Sequence, residues 1–260
     1  MKSELIEVGG LNTHLLRIGQ SKQKIIFLHG WEGESKNFIN LASHLAKKSK
    51  IEALLIDLPG FGSSDSPPSS GWSTSDYEEW LEKLLHKLKI TKASFYGHSF
   101  GCRIIIRLLL KSPSLADKVI LSGAAGIKWP LSLRQKASVF LSKKLSLTKK
   151  LVPQRIQKVV MCRIFGARDW GLVSPELKST LRKTLAEEDF RNELPKIKTP
   201  IFLLWGKNDS YTPLKSGRVF AEKLPNARLK IFSDGRHGLH YTHEKKIVKI
   251  VSEFIKTKGT

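Results

Sequence analysis

The chain has 260 residues, enough to bury a large core in one domain. Its 45 Lys and Arg residues outnumber 23 Asp and Glu residues, so the formal net charge is +22. The two cysteines, Cys102 and Cys162, form no C-x-x-C pair, which argues against a disulfide framework and a cysteine metal site and favours a reducing compartment.

The first segment of the chain is polar overall, and polar and apolar residues alternate along it. It predicts two antiparallel edge strands, Glu4–Val8 and Thr13–Ile18. It lacks the apolar region of a secretion signal, and no apolar run approaches the length of a membrane span. A cytoplasmic protein without a membrane-spanning helix is therefore expected.

Apolar runs alternate with helical patterns along most of the remaining sequence. Such alternation predicts an α/β fold whose sheet has eight strands, is mostly parallel, and is covered by helices on both faces. The six parallel strands are predicted at Lys24–Leu28, Ile51–Asp57, Ala93–Gly97, Lys118–Ser122, Pro200–Trp205 and Arg228–Phe232.

The clearest helical pattern begins at Tyr77 and ends at Leu88. Its apolar residues repeat every three or four positions, as expected of a helix with one buried face. The preceding Ser75 and the later Glu78 match a capping box, in which serine and glutamate satisfy backbone N–H groups at the start of a helix. The sequence therefore predicts a helix that begins near Ser75.

Ser99 lies in the sequence Gly97-His98-Ser99-Phe100-Gly101, between a predicted strand and a predicted helix. Glycines that flank a serine permit a sharp turn that exposes the hydroxyl, as in a nucleophile elbow. Ser99 is therefore a candidate nucleophile. The alternative is an ordinary turn serine.

Two later loops supply the groups that a serine nucleophile requires. Asp209 follows the predicted strand 200–205, and His237 follows the predicted strand 228–232. The order Ser, Asp, His is the one found on α/β-hydrolase sheets and differs from the orders on the protease folds. Asp209 could instead form a turn, and Asp234 is an alternative acid.

Histidines near the candidate base leave further alternatives. His240 and His243 compete with His237 as the base, although His237 directly follows the Gly235-Arg236 turn. His98 lies inside the elbow and is expected to pack there or tune the loop. Asp57 and Asp65 are expected to anchor the long Gly-Pro-Ser loop.

These pieces together resemble the α/β-hydrolase superfamily and cover nearly the whole chain. Within it the chain looks most similar to small carboxylesterases, including relatives of pimeloyl-carrier-protein methyl ester esterase, because of the His-Gly-Trp loop and the spacing from His237 to His243. Cys102 departs from the pattern, since many relatives have glycine there. The matching segments are His29-Gly30-Trp31, Asp57-Leu58-Pro59-Gly60-Phe61-Gly62-Ser63-Ser64, the elbow at Ser99, and the loops at Asp209 and His237.

The resemblance implies a catalytic role for each part. Ser99 would attack a carbonyl carbon, His237 would accept its proton, and Asp209 would orient the histidine. The backbone N–H groups of Trp31 and Phe100 would form the oxyanion hole. No H-E-x-x-H motif or strand-linked G-x-G-x-x-G motif occurs, so no metal and no cofactor are expected.

Residues 127–196 interrupt the strand–helix alternation. The resemblance implies that this segment forms a helical cap over Ser99, while residues 1–126 and 197–260 form the hydrolase core. Within it, residues 127–168 contain eleven Lys or Arg and no Asp or Glu. Such a charge would attract anionic or carrier-protein-linked substrates, although lysines that merely coat the surface explain it equally simply.

The expected function is hydrolysis of small to medium carboxylic esters or thioesters through an acyl-enzyme. A peptidase or a carbon–carbon bond hydrolase on the same fold is the alternative within enzymes, and a non-catalytic ligand-binding protein is the alternative outside them. Nucleic acid is not an expected partner, because no basic tract with interleaved aromatic residues occurs. The sequence leaves the oligomeric state open.

Overall fold

The computed structural model describes residues 1–130, 175–187 and 189–257. These residues contain the predicted sheet of eight strands, in the spatial order first, second, fourth, third, fifth, sixth, seventh, eighth. Every predicted strand is present, and each end lies within two residues of its predicted position. The strands are β1 (Lys2–Val8), β2 (Leu11–Ile18), β3 (Lys24–Leu28), β4 (Glu52–Ile56), β5 (Ala93–His98), β6 (Ala116–Ser122), β7 (Ile201–Gly206) and β8 (Ala227–Phe232).

Strand pairing confirms the mostly parallel sheet. β2 pairs antiparallel with both β1 and β4, and all other neighbouring strands are parallel. The central strands are buried on both faces, which explains why they are near-continuous apolar runs in the sequence. Because all parallel strands end at one edge of the sheet, the loops after β3, β5, β7 and β8 meet there.

Helices cover both faces of the sheet and bury two hydrophobic cores. Ile26 and Leu28 of β3 face the core that includes the second and third helices, and Ile25 and Phe27 face the core beneath the first and last helices. The helices are α1 (Ile39–Ser49), α2 (Thr74–Lys87), α3 (Phe100–Lys111), α4 (Pro175–Glu187), α5 (Leu214–Lys223), α6 (Leu239–Thr242) and α7 (Glu244–Lys256). Short 3-10 helices lie at Ser35–Phe38, Pro113–Leu115, Phe190–Asn192 and Leu194–Lys196.

The capping box of α2 lies two residues before its predicted position, so the prediction of Ser75 and Glu78 was wrong. Ser73 Oγ accepts a hydrogen bond from the Asp76 N–H, and Asp76 Oδ2 accepts one from the Ser73 N–H. Ser73 and Asp76 have the same spacing, and aspartate serves as well as glutamate. Glu78 is buried and pairs with Lys111 of α3 instead.

Most of the predicted cap lies outside the described residues, which include none of 131–174. The described part contains α4, which is bound to the loop before α2. Thr180 Oγ1 accepts a hydrogen bond of 2.9 Å from the Trp72 N–H, Lys183 Nζ donates one of 2.9 Å to the Gly71 carbonyl, and Ser179 Oγ donates one of 2.6 Å to the Ser70 carbonyl. These contacts attach α4 to the core at one side of the sheet edge that carries the loops.

In the described residues, no helix has the length and apolar character needed to cross a membrane.

Candidate active site

Ser99 occupies a strained turn between β5 and α3. Its φ of 50° and ψ of −107° lie in a region that non-glycine residues rarely adopt, which is the expected geometry of a nucleophile elbow. The flanking glycines permit the turn to pack closely. A Cβ on Gly101 would lie 2.4 Å from the Leu28 carbonyl oxygen, and a Cβ on Gly97 would lie 2.7 Å from Ile105.

Asp209 lies in the loop after β7, three residues beyond its end, and each of its two carboxylate oxygens has different partners. Oδ1 accepts hydrogen bonds of 2.9 Å from the N–H groups of Tyr211 and Thr212, which closes a turn. Oδ2 lies 2.8 Å from His237 Nδ1. Asp209 therefore forms the turn and also contacts the histidine, so the two interpretations of this residue do not exclude each other.

His237 lies in the loop between β8 and α6, with its side chain 18% exposed. Its ring contacts those of Tyr211 and His98, at centroid distances of 5.0 Å and 4.6 Å. The alternative acid, Asp234, instead lies 3.1 Å from His243 Nε2. The structure therefore brings Asp209 to His237, and Asp234 to a different histidine.

The loop after β3 is fixed by a buried histidine. His29 Nε2 lies 3.0 Å from the Leu58 N–H, and His29 Nδ1 lies 2.7 Å from the Gly30 carbonyl. An imidazole that accepts at Nε2 and donates at Nδ1 is neutral, and burial lowers the pKa of His29 in agreement with this form. His29 thus ties the loop of Gly30 and Trp31 to the residues after β4.

Gly30 lies close to the elbow. A Cβ on Gly30 would lie 3.1 Å from Ser99 Cβ and 3.1 Å from His98 Cδ2, so this position has no room for a side chain. Among the described residues, the N–H groups of Trp31 and Phe100 have no hydrogen-bond partner. Both are therefore available as donors beside Ser99.

A pocket of about 630 Å³ contains these groups. Ser99, His237, Trp31 and Phe100 line it, as do Leu181 and Thr184 of α4, while Asp209 is buried behind His237. In the described part of the chain, Ser99 Oγ and His237 make no hydrogen bond to each other, and the printed partners of His237 Nδ1 are Asp209 and Thr212. Such bonds are often long in unliganded enzymes and tighten when substrate binds. The catalytic roles of these residues stay predictions.

Thr212 is a site residue that sequence analysis missed. Its Oγ1 lies 2.9 Å from Asp209 Oδ2, 3.0 Å from the Gly123 carbonyl oxygen and 3.3 Å from His237 Nδ1. A threonine three residues after an aspartate is common in turns, so the sequence offered only a weak signal. In the structure its hydroxyl supports both the carboxylate and the histidine.

Arg103 also escaped sequence analysis. It lies on α3 one turn after Ser99, is 7% exposed, and lines the pocket. Its Nη1 donates a hydrogen bond of 2.9 Å to the Thr184 carbonyl. Arg103 therefore joins the elbow helix to α4, a contact between residues 81 positions apart that no local pattern indicates.

The other residues singled out in the sequence have structural contacts. Asp57 is buried and accepts hydrogen bonds from Ser63 N–H and His14 Nδ1, at 2.9 Å and 2.8 Å, and Asp65 accepts one of 2.7 Å from the Asn12 N–H. Cys102 is fully buried, with its Sγ 3.8 Å from the Ser122 carbonyl oxygen. A thiol therefore fits at the position where the resemblance led us to expect glycine. In the described ranges, no cluster of His, Cys, Asp or Glu side chains could hold a metal ion.

Comparison with known proteins gives consistent matches over nearly the whole chain. A family model described as alpha/beta hydrolase fold matches residues 24–167 and 178–244. A pimeloyl-[acyl-carrier protein] methyl ester esterase of Legionella pneumophila is 27% identical over 255 residues, covering 95% of this chain and 100% of the relative. A 2-hydroxy-6-oxononadienedioate/2-hydroxy-6-oxononatrienedioate hydrolase of Burkholderia vietnamiensis is 23% identical over 270 residues, covering 95% of this chain and 91% of the relative.

The structural comparison supports the fold. The crystal structure of a hydrolase from Pseudomonas aeruginosa superposes with a TM-score of 0.77 and 17% identity, covering 98% of each chain. The matched family segments include Ser99, Asp209 and His237. The resemblance drawn from the sequence is thereby confirmed, and the chain belongs to the alpha/beta hydrolase fold family and is a hydrolase.

Proposed function

We propose that this hydrolase cleaves carboxylic esters or thioesters, with Ser99 as nucleophile, His237 as general base and Asp209 as the partner of the histidine. The observation that carries the proposal is the 2.8 Å contact between His237 Nδ1 and Asp209 Oδ2 at the pocket that holds the strained Ser99. A proton on Nδ1 that is donated to Asp209 leaves the Nε2 lone pair free to accept the proton of a serine hydroxyl.

The reaction has two stages. Ser99 Oγ attacks the carbonyl carbon while its proton passes to His237 Nε2, and the carbonyl oxygen becomes an oxyanion. The oxyanion collapses, the bond to the alcohol oxygen breaks, and that oxygen takes the proton from His237. A water molecule then attacks the acyl-serine in the same way, which releases the carboxylic acid and restores Ser99.

The Trp31 and Phe100 N–H groups would stabilise the oxyanion in both stages. They are backbone donors, so their positions depend on the turns that hold them and not on the identities of the side chains. His29 fixes one of these turns through Leu58, and Gly101 fixes the other by allowing α3 to approach β3.

Residues 127–196 would form a cap over this pocket, and residues 1–126 and 197–260 the core. Leu181 and Thr184 of α4 support this division because they belong to the segment and line the pocket. The name of the Legionella relative suggests an ester attached to an acyl carrier protein as one substrate class. The eleven cations of residues 127–168 have the charge that an acidic carrier would require.

A carbon–carbon bond hydrolase is the second candidate. The similarity to the Burkholderia hydrolase favours it, since that relative's name describes the hydrolysis of an oxo-dienoic diacid. The ester proposal uses the same serine, histidine and aspartate, so the two candidates differ in substrate and not in residues. Activity has to separate them.

A substrate panel tests the proposal. Purified protein is assayed with nitrophenyl esters of increasing acyl length, a peptide amide and a meta-cleavage diketone, and is treated with a fluorophosphonate probe that labels reactive serines. We expect ester turnover and labelling, both lost in Ser99→Ala and both retained in Ser69→Ala, which changes an exposed serine. Turnover of the diketone or amide alone would replace the ester proposal. Folded wild-type protein without labelling or turnover would favour a binding protein.

A further inference from the structure

Three buried histidines besides the proposed base line the same pocket, and one of them, His29, already uses both ring nitrogens to hold the loop after β3. His98 lies 4.6 Å from His237 and 4.7 Å from His240, measured between ring centroids. His98 is 8% exposed and His240 is 4% exposed, and both border the pocket. The proposed chemistry requires one imidazole, so these two rings are left without a role.

Both additional rings are neutral. Burial lowers the pKa of His98 well below its usual value, with neighbouring His240 and His237 acting in the same direction. Burial likewise lowers the pKa of His240 to about 3. A neutral imidazole has one N–H donor and one lone-pair acceptor. The pocket wall beside His237 therefore carries hydrogen-bonding groups but no positive charge from these rings.

The hydrogen bonds of these rings leave nitrogen atoms unused. His98 Nδ1 lies 3.1 Å from the Ser122 carbonyl oxygen, so it carries the proton and Nε2 has the lone pair. In the described part of the chain, His240 Nδ1 is buried without a hydrogen-bond partner. An N–H that is buried without an acceptor is more costly than a lone pair that is buried without a donor, so Nδ1 is the unprotonated nitrogen of His240 and the ring N–H is at Nε2.

The rings around His240 are apolar or aromatic. Phe38 lies 4.9 Å from it and Tyr241 lies 4.1 Å from it, between centroids. An anion held between neutral imidazoles and aromatic rings would lose its hydration without gaining a charged partner from them. A hydroxyl group suits this environment better, because it donates one hydrogen bond and accepts another.

The position beside His237 indicates which part of a substrate would reach these rings. In an ester hydrolase the alcohol oxygen takes its proton from the catalytic histidine as it leaves. The alcohol part must therefore lie on the His237 side of Ser99, where His98 and His240 line the pocket.

We propose that His98 and His240 form a subsite that binds a hydroxyl group on the alcohol part of the ester. This inference rests on the proposed function. His98 Nε2 accepts the hydroxyl proton, and His240 donates to the hydroxyl oxygen from its N–H. The enzyme accordingly prefers esters of diols or other polyols to esters of simple alcohols of the same size.

A matched pair of esters measures this preference. The 2-hydroxyethyl ester and the n-propyl ester of one acyl group have equal numbers of heavy atoms and differ at a terminal OH or CH3. A hydrogen bond between neutral groups contributes about 0.5–1.5 kcal/mol and the hydroxyl group makes two, so kcat/KM for the hydroxyethyl ester should exceed that for the propyl ester by about fivefold to a hundredfold. Equal values for the two esters would overturn the subsite.

Substitution at His240 tests which residue carries the preference. His240→Phe keeps an aromatic ring but removes both nitrogens, so the ratio of the two kcat/KM values should fall by about twofold to tenfold, since only the bond to His98 remains. His86→Phe makes the same change on the exposed surface of α2 and should leave both rates and their ratio unchanged. A ratio that stays unchanged in His240→Phe would assign the preference to another part of the pocket.

A second measurement uses only the wild-type enzyme, in case His240→Phe does not fold. The acyl-enzyme is allowed to react with water in the presence of equal concentrations of 1,2-ethanediol or 1-propanol, each of which gives a new ester and free Ser99. Transfer to the diol should be about fivefold to a hundredfold greater after correction for its two hydroxyl groups. Equal transfer would refute the subsite while leaving ester hydrolysis intact. Absence of any ester turnover or acyl-enzyme would instead refute the proposed function.

Discussion

Replacing Thr212 by valine tests whether its hydroxyl supports the histidine–aspartate pair. Valine keeps the shape of threonine and removes only the hydroxyl that contacts Asp209 Oδ2 at 2.9 Å and the Gly123 carbonyl oxygen at 3.0 Å. The hydroxyl has one proton, so the loss amounts to one hydrogen bond. A bond to a charged group contributes about 1.5–3 kcal/mol and a bond to a neutral group about 0.5–1.5 kcal/mol.

The expected losses follow from the remaining contacts of Asp209. Asp209 is 6% exposed, so water replaces the missing bond poorly, and we expect the free energy of unfolding to fall by about 2 kcal/mol. If the whole bond also stabilises the transition state, kcat/KM falls by about a hundredfold at most. Two backbone N–H groups still hold Asp209 Oδ1, so we expect a loss of about tenfold.

Urea unfolding and ester kinetics measure these two quantities. Thr212→Ser should restore most of both, because it returns the hydroxyl, and Thr91→Val should change neither, because Thr91 is exposed. The reasoning is refuted if Thr212→Val keeps wild-type stability and kcat/KM while Asp209→Asn loses activity. That result would show that Asp209 and His237 hold their geometry without the threonine.

Three further predictions concern the elbow and the cations of residues 127–168. Ser99→Ala and His237→Ala should each remove ester hydrolysis almost completely, and the double variant should be hardly worse, because the residues act as one unit; a clearly additive loss in initial-rate assays would contradict this. Gly101→Ala should lower the free energy of unfolding by about 1–3 kcal/mol or more, since its Cβ would lie 2.4 Å from the Leu28 carbonyl oxygen, and an unchanged urea midpoint would show that α3 can move aside. If the cations of residues 127–168 attract anions, added salt should lower kcat/KM for an acidic or carrier-linked ester and leave a neutral ester nearly unaffected, because screening limits the field to about 10 Å at 0.1 M salt. Reversal of four of these cations to glutamate should lower kcat/KM only for the acidic ester; the four are Lys143, Lys144, Lys149 and Lys150. An equal salt response of both esters would show that these cations only cover the solvated surface.

The strands could be predicted from the sequence because the pattern of apolar residues follows the burial of each strand. β3 to β5 are buried on both faces, so the apolar run and the strand coincide almost residue for residue. The capping box of α2 was predicted two residues too late for a local reason. Ser73 with Asp76 and Ser75 with Glu78 are both capping pairs by spacing, and only burial of Glu78 against α3 decides between them.

The sequence indicated those residues of the candidate site whose chemical type the proposed reaction requires. It did not indicate residues that contribute only through contacts made in the folded chain. Ser99, Asp209 and His237 lie in recognisable turns after strands, and the shared sheet edge brings those turns together. Thr212 and Arg103 act through contacts that depend on the path of two loops and on the placement of α4. Such contacts exist only after the tertiary fold is formed, so no spacing in the sequence indicates them.

The attachment of α4 to residues 70–72 has a consequence for grafting the corresponding segment of a relative in place of the proposed cap. The two backbone carbonyls and the backbone N–H that bind α4 belong to the core loop before α2. A grafted segment brings its own side chains but meets the recipient's loop, so its Thr, Ser and Lys partners have to match that backbone. The smallest transferable unit is therefore α4 together with the loop that receives it, and a chimaera that carries both inherits the wall of the pocket in its original position.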